Sequence, residues 1–162
     1  MSRPVSAGLL VWRRRAGEAE FLLVHPGGPY WARRDSAAWS FPKGVVEAGE
    51  ATKAAALREF AEELGQSIAA RLTGESQPLT PHRMPGGKLV VAWLVEADLE
   101  LGEIRSNLFE LEWPPRSGRR TVFPEVDRAE YFPAPLAMVK IHIGLKPVLE
   151  EAIARLARAS DS

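Results

Sequence analysis

Apolar positions recur along this chain with two different spacings, and each stretch predicts an element. Residues 6–12 and 20–25 are apolar runs that read as two strands, joined by the turn-like Ala16-Gly17-Glu18. Pro26-Gly27-Gly28-Pro29 closes the second strand and opens an exposed loop reaching to around Ala38. Trp39-Ser40-Phe41 is a short extended piece, because Pro42 disfavours a helical Phe41. From Ala51 to Leu64 the spacing becomes helical. Ala54, Leu57, Phe60, Ala61 and Leu64 gather within an arc of about 120°, a normal width for a buried stripe. Gly65 then predicts a left-handed cap.

The second half is more broken. Residues 67–73 and 79–83 are strand candidates, Met84-Pro85-Gly86-Gly87 a turn, and 88–97 the clearest strand. Residues 98–124 predict a long irregular segment that holds Trp113-Pro114-Pro115 and Ser117-Gly118. Loops of that length inside a domain tend to be functional or disordered. A strand over 126–132 follows, then a helix started by Pro133 and Pro135 that runs through 136–143 to Gly144. Pro147 opens a last helix reaching to around Arg158, with Val148, Ile153 and Leu156 among its apolar positions. Strands mixed with helices argue for an α/β or α+β architecture.

Composition narrows the class. A length of 162 residues suits a single domain over 1–162 with one core of ordinary size, and no internal repeat or low-complexity tract interrupts it. With no cysteine, disulfides, thiolate metal sites and a cysteine nucleophile are excluded, and a reducing, cytoplasmic setting is expected. The apolar stretch Leu9–Trp12 runs straight into Arg13-Arg14-Arg15, too short for a membrane span or a secretory signal. Net charge is zero, which argues against a nucleic-acid polymer as partner and leaves a small polyanion open. A homodimer is left open as well. His25, His82 and His142 show no ligand spacing and are assigned to neither metal nor catalysis.

The candidate chemistry lies on the helix over 51–64. Glu59, Glu62 and Glu63 fall within about 100° of one another, centred nearly opposite the apolar stripe at 3.6 residues per turn. Like charges so placed repel by a few tenths of a kcal/mol per pair. A hard divalent cation is a natural compensation, since Mg²⁺ prefers carboxylate and water oxygens; a solvated acidic face is the plainer alternative. Gly44 and Gly49 allow close approach of backbone to a ligand, and Lys43 beside Gly44 is placed to meet a phosphate as a point charge.

At these residues the chain resembles the Nudix hydrolases. Their box matches Gly44, five residues on to Glu50, seven more to Arg58-Glu59, then Phe60, Glu62-Glu63 and Gly65; only Gln66 departs, where an aliphatic residue is expected. The likeness covers residues 5 to around 132. It implies a mixed β-sheet sandwiched between helices, and a Mg²⁺- or Mn²⁺-dependent hydrolase of phosphate anhydrides. It further implies metal binding by Glu59, Glu62, Glu63 and the Gly44 carbonyl, with Glu50 fixing the loop or reaching metal through water, and Arg58 orienting the cluster. Relatives differ in their general base, which is either the glutamate matching Glu59 or one on a distant loop. Phe109-Glu110-Leu111-Glu112-Trp113 alternates, which turns Glu110 and Glu112 to one face; Glu112 is the distant candidate, with Glu110 and Glu125 as alternatives, and a solvated strand face is the plainer reading.

Trp39-Ser-Phe-Pro-Lys-Gly44 is similar to the lead-in of diadenosine polyphosphate hydrolases, which implies dinucleoside polyphosphates or nucleoside triphosphates as substrates and a phosphate contact for Lys43. The tyrosine that such enzymes often carry downstream is absent. Pro81, fifteen residues past Gln66, matches the spacing of ADP-ribose pyrophosphatases, so ADP-ribose or a nucleotide sugar is the alternative substrate. Trp31 and Phe123, with Tyr30 and Trp113, lie in loop-like stretches where a base could stack for about 1–3 kcal/mol. A catalytically silent nucleotide-sensing domain is a reading from another class, but lost turnover should leave gaps in the carboxylate set, and none is seen. The isoprenoid diphosphate isomerases of the same fold need a cysteine that this chain lacks.

Overall fold

Both N-terminal apolar runs are strands, and they extend beyond the runs because their polar ends continue to pair. The structure, a computed structural model, describes residues 4–160. In chain order it contains β1 (Val5–Arg15), β2 (Glu18–Pro26), β3 (Lys43–Val45), α1 (Thr52–Leu64), α2 (Gln66–Ala69), β4 (Ser76–Pro78), β5 (His82–Arg83) and β6 (Leu89–Glu96). Then follow β7 (Leu108–Glu112), β8 (Arg120–Pro124), β9 (Val126–Pro133), α3 (Ala134–Lys140), a 3-10 turn (Ile143–Leu145) and α4 (Lys146–Ser160). Ala16 and Gly17 both take positive φ, 52° and 81°. That is the two-residue turn whose twist matches its flanking strands, and it sets Arg15 opposite Glu18.

A mixed sheet in the order β4-β6-β1-β2-β9 forms the middle layer, with β3 paired to β1 and β5 to β6. β1 runs parallel to β6 from Val5↔Leu89 to Trp12↔Glu96, and antiparallel to β2 and β3. Alternate side chains divide between two cores. Ala7, Leu9, Val11, Leu22 and Val24 pack with Ala55, Ala56, Phe60 and Leu64 of α1. Leu10, Phe21, Leu23, Val90 and Leu94 pack with Ala137 of α3 and Val148, Leu149 and Ala152 of α4. Cover on both faces is why β1 and β2 read as unbroken apolar runs. The architecture is the expected α+β sandwich. No helix among the described residues is long and apolar enough to cross a membrane.

Several expectations are corrected. Residues 67–73 are not a strand: α2 folds back over the end of α1 and buries Ile68. Gly65 has φ 106° but ψ 151°, so it is not a left-handed cap; its N–H closes the last turn onto Ala61 and its carbonyl accepts from Ala69 to start α2. Of residues 79–83 only His82–Arg83 is strand. The segment 98–124 holds a hairpin, β7–β8, that forms its own two-stranded sheet. That hairpin leaves Leu108 and Val122 exposed, and an uncovered face gives only a faint apolar pattern. The helix expected through 136–143 ends at Lys140.

The largest correction concerns α1. Its buried residues are Ala55, Ala56, Phe60 and Leu64, whereas Leu57 is 44% exposed. The helix is therefore rotated from the orientation that the apolar stripe predicts. Small Ala55 and Ala56 let its axis approach β1 closely, and Glu59 and Glu63, one turn along, flank the core instead of lying opposite it.

Candidate functional site

Close approach of backbones builds the site. A Cβ at Gly8 of β1 would lie 2.5 Å from both the Lys43 Cβ and the Pro42 carbonyl oxygen, so glycine there lets β3 pair tightly. A Cβ at Gly44 would lie 2.0 Å from Glu59 Cδ and 2.2 Å from each carboxylate oxygen. Any side chain at Gly44 would therefore evict the Glu59 carboxylate from its seat on the strand.

Arg58 ties the loop to the helix. Its Nε and Nη2 donate to Glu50 Oε2 and Oε1 at 2.8 and 2.9 Å, and Nη2 also reaches the Val45 carbonyl at 3.0 Å. Nη1 donates to Glu59 at 2.9 Å and to both oxygens of Glu62 at 3.3 Å. The bidentate bond to Arg58 and the Glu47 N–H together lower the Glu50 pKa to about 2. Arg58 is raised in turn, first by Glu50. Glu50 is thus committed to holding the loop, with both oxygens occupied.

Glu63 is the unsatisfied member. Its Oε2 is buried without a hydrogen-bond partner. Burial, and then the nearby Glu59 charge, push its pKa up to about 8 against the pull of Lys43. Burial raises Glu59 as well, opposed by Arg58 and reinforced by Glu62 and Glu125. Glu125 is raised by burial and by Glu62. Lys43 is lowered by burial and by Lys88, against Glu63 and Glu59. Among the described residues no three carboxylates or histidines converge in ready metal-holding geometry. Arg58 engages two of the carboxylates, Glu59 and Glu62. Even so, a donor set made of oxygens alone, an orphaned buried carboxylate oxygen and the Gly44 clearance fit a hard divalent cation and no softer one.

A cleft of about 480 Å³ opens beside Glu63 and Glu125, with Lys43, Lys88, Trp31, Met84 and His142 on its walls and Val24, Val90 and Leu145 supplying apolar surface. A larger hollow of about 710 Å³ lies between the end of α1, α2 and residues 100–107, and meets the carboxylates only at Glu62. The first cleft is the one with chemistry beside it.

Of the sequence candidates, Lys43, Trp31 and Glu63 line this cleft, while Arg58 holds Glu59 and Glu62 together and Glu62 faces the larger hollow. Phe123 does not reach it; that ring packs on Phe109 at 6.0 Å within the hairpin. Glu112 does not reach it either. It accepts from the Gly118 N–H at 2.9 Å and so closes the hairpin turn, while Glu110 lies 3.8 Å from Arg120. The distant carboxylate that the fold brings in is Glu125. Its N–H donates to the Asn107 carbonyl at 2.8 Å, and the Asn107 N–H donates to the Glu62 carbonyl at 2.7 Å. Lys88, Met84 and His142 do not read as cleft residues in the sequence, because only tertiary pairing brings them there: β3 and β6 both pair with β1, and the segment after α3 bridges Trp39 at Ile141.

The NUDIX domain matches residues 2–149. No curated protein matches the sequence. Among solved structures, a Caenorhabditis elegans Ap4A hydrolase in a binary complex is 26% identical, with a TM-score of 0.61 over 95% of this chain and 98% of that one. The NUDIX domain of Shewanella oneidensis NrtR, complexed with ADP ribose, is 15% identical, with a TM-score of 0.64 over 96% and 90%. A MutT structure from work on the Aliivibrio salmonicida and Vibrio cholerae proteins is 21% identical, with a TM-score of 0.56 over 95% and 98%. The last two show likeness of fold.

Proposed function

The chain belongs to the NUDIX family of pyrophosphohydrolases, and from that premise we propose that it is a Mg²⁺- or Mn²⁺-dependent hydrolase of dinucleoside polyphosphates or nucleoside triphosphates. It acts as a single domain over 1–162, in the cytoplasm, on small nucleotides and not on nucleic-acid polymers. The observation that supports the reading is Glu63, buried near Glu59 and Lys43 with one oxygen unpartnered, at the edge of a cleft holding Lys43 and Lys88.

Glu59, Glu62, Glu63 and the Gly44 carbonyl would hold the cation, with Glu50 acting indirectly through Arg58. When bound, such a cation neutralises phosphate charge and makes a coordinated water more acidic. The protein's own part is positioning, because phosphoryl transfer needs little covalent work. Lys43 and Lys88 hold the phosphate chain as point charges. Trp31 and the apolar wall receive the base. Glu59 or Glu125 takes the proton from the attacking water. Glu112 is withdrawn from that role.

The choice of substrate is supported by the Trp39–Gly44 lead-in and by the Ap4A hydrolase likeness across most of both chains. The test is a screen of dinucleoside polyphosphates, nucleoside triphosphates, ADP-ribose and nucleotide sugars with Mg²⁺ and with Mn²⁺, products resolved by chromatography. Preferred cleavage of ADP-ribose would replace the substrate class. No turnover of any substrate with either metal would leave a nucleotide-sensing domain.

A further inference from the structure

His25 takes no part in the chemistry above, yet it is completely buried. Its ring lies between two oxygens, with Nδ1 2.8 Å from Asp127 Oδ1 and Nε2 2.6 Å from the Arg34 carbonyl. A carbonyl and a carboxylate oxygen both accept, so the two bonds exist together when each ring nitrogen carries a proton, Nε2 donating to Arg34 and Nδ1 to Asp127. The ring meets Trp39 edge-on at 5.1 Å, and Arg128 lies 5.1 Å over the same indole and 3.7 Å from Asp127. Asp127 thus holds the imidazole, and the imidazole holds Arg34.

Arg34 belongs to the loop 27–38, which forms the Trp31 wall of the cleft. The other polar anchors of this loop lie before and after the Trp31–Arg34 turn. The Gly27 N–H donates to the Glu125 carbonyl at 2.9 Å, Asp35 accepts from Trp39 Nε1 at 2.9 Å and pairs with Lys140, and the Ala37 N–H donates to Val139 at 3.0 Å. Between them, the Arg34 N–H donates to the Trp31 carbonyl at 2.9 Å. A short turn therefore carries the His25 anchor directly to Trp31.

We propose that His25 is a positioning residue for substrate binding. Oriented by Asp127, its Nε2–H fixes the Arg34 carbonyl, and through the Trp31–Arg34 turn it sets the wall of the cleft. This rests on the reading that the cleft takes the nucleotide. The consequence falls on binding and not on the chemical step, because none of these groups touches the carboxylate cluster.

Two amide replacements separate the two bonds of the ring. The nitrogen of a glutamine side chain reaches where Nε2 lies; that of an asparagine reaches only as far as Nδ1. His25→Asn should raise KM for the best nucleotide substrate about tenfold with kcat within about twofold, the scale of one lost buried hydrogen bond, while His25→Gln stays within about threefold of wild type. Amide hydrogen exchange over residues 31–34, measured without substrate, should accelerate in the Asn variant and not in the Gln variant. Asp127→Ala, whose side chain is 32% exposed, gives up the same bond as the Gln variant, so its KM should rise by no more than about threefold; should the Asn variant not fold, a clearly larger rise in Asp127→Ala than in His25→Gln would overturn the role given to Nε2. Indistinguishable exchange and KM for the Gln and Asn variants would overturn the proposal, as would a loss confined to kcat. Were wild type to hydrolyse nothing, the nucleotide reading would fall, and the exchange contrast would still decide whether His25 positions this loop.

Discussion

Gly44 and Glu63 show how much of this site depends on single atoms. The Glu59 carboxylate occupies the volume that a Cβ on Gly44 would claim, 2.0 Å away, so Gly44→Ala must push Glu59 out. We expect Gly44→Ala to lower kcat/KM by about a hundredfold or more, a scale set by misplacing a catalytic group by an ångström. Circular dichroism and thermal melting should show the fold retained. Glu63→Gln keeps the shape and removes the charge, so turnover should fall by orders of magnitude with little change in melting temperature at pH 6. Wild-type turnover in Glu63→Gln under saturating Mg²⁺ would take this carboxylate out of the mechanism. Arg58 differs in kind, because every polar contact it makes holds other parts of the box in place.

Elements, not residues, decide which way the acidic side chains of α1 point. The helix rests on β1 through Ala55 and Ala56, and this contact turns Glu59 and Glu63 towards β3. Ala56→Leu would overfill that contact, and we expect a loss of about 1–3 kcal/mol by urea unfolding together with lost turnover. The β7–β8 hairpin makes the opposite point. Glu110 and Glu112 alternate along it as a strand should, yet the hairpin forms a separate sheet and uses Glu112 to close its own turn. Glu110→Gln and Glu112→Gln should therefore keep kcat within about twofold of wild type, as surface changes away from a site usually do. Glu125→Gln, assayed beside them, should lower it sharply. The reverse ranking would return the distant base to the hairpin.

At the scale of the whole molecule, the buried carboxylates couple stability to pH. Glu63 titrates near 8 in the folded protein against 4.5 for an exposed glutamate, so between those values the native state holds a proton that the unfolded chain has released. Bound protons then favour the native state. Metal-free stability should fall as pH rises through this window, by at most about 1.4 kcal/mol per pH unit for one site. Melting followed at pH 5, 6.5 and 8 in chelator should show the decline, and Glu63→Gln should flatten it. Mg²⁺ should restore stability most at the alkaline end, where the carboxylate is already ionised. A flat wild-type profile would mean that Glu63 is better solvated than its burial indicates.

The strands flanking the box, the box helix and the identity of its carboxylates are local properties, and the chain declares them through spacing. β1, β2, β6, α1 and α4 could be read because continuous or helical apolar periods reflect burial directly. α2, the β7–β8 hairpin and the rotation of α1 could not, since each depends on what packs against it. The same holds for function. A run of glutamates near a glycine is visible in the sequence, whereas the seat of Glu59 on Gly44, the orphaned oxygen of Glu63, the approach of Glu125 and the His25 anchor of the cleft wall join residues far apart in the chain. Local spacing sets which groups the chain carries; only close packing of distant backbones decides which of them meet, and how far burial shifts their charge.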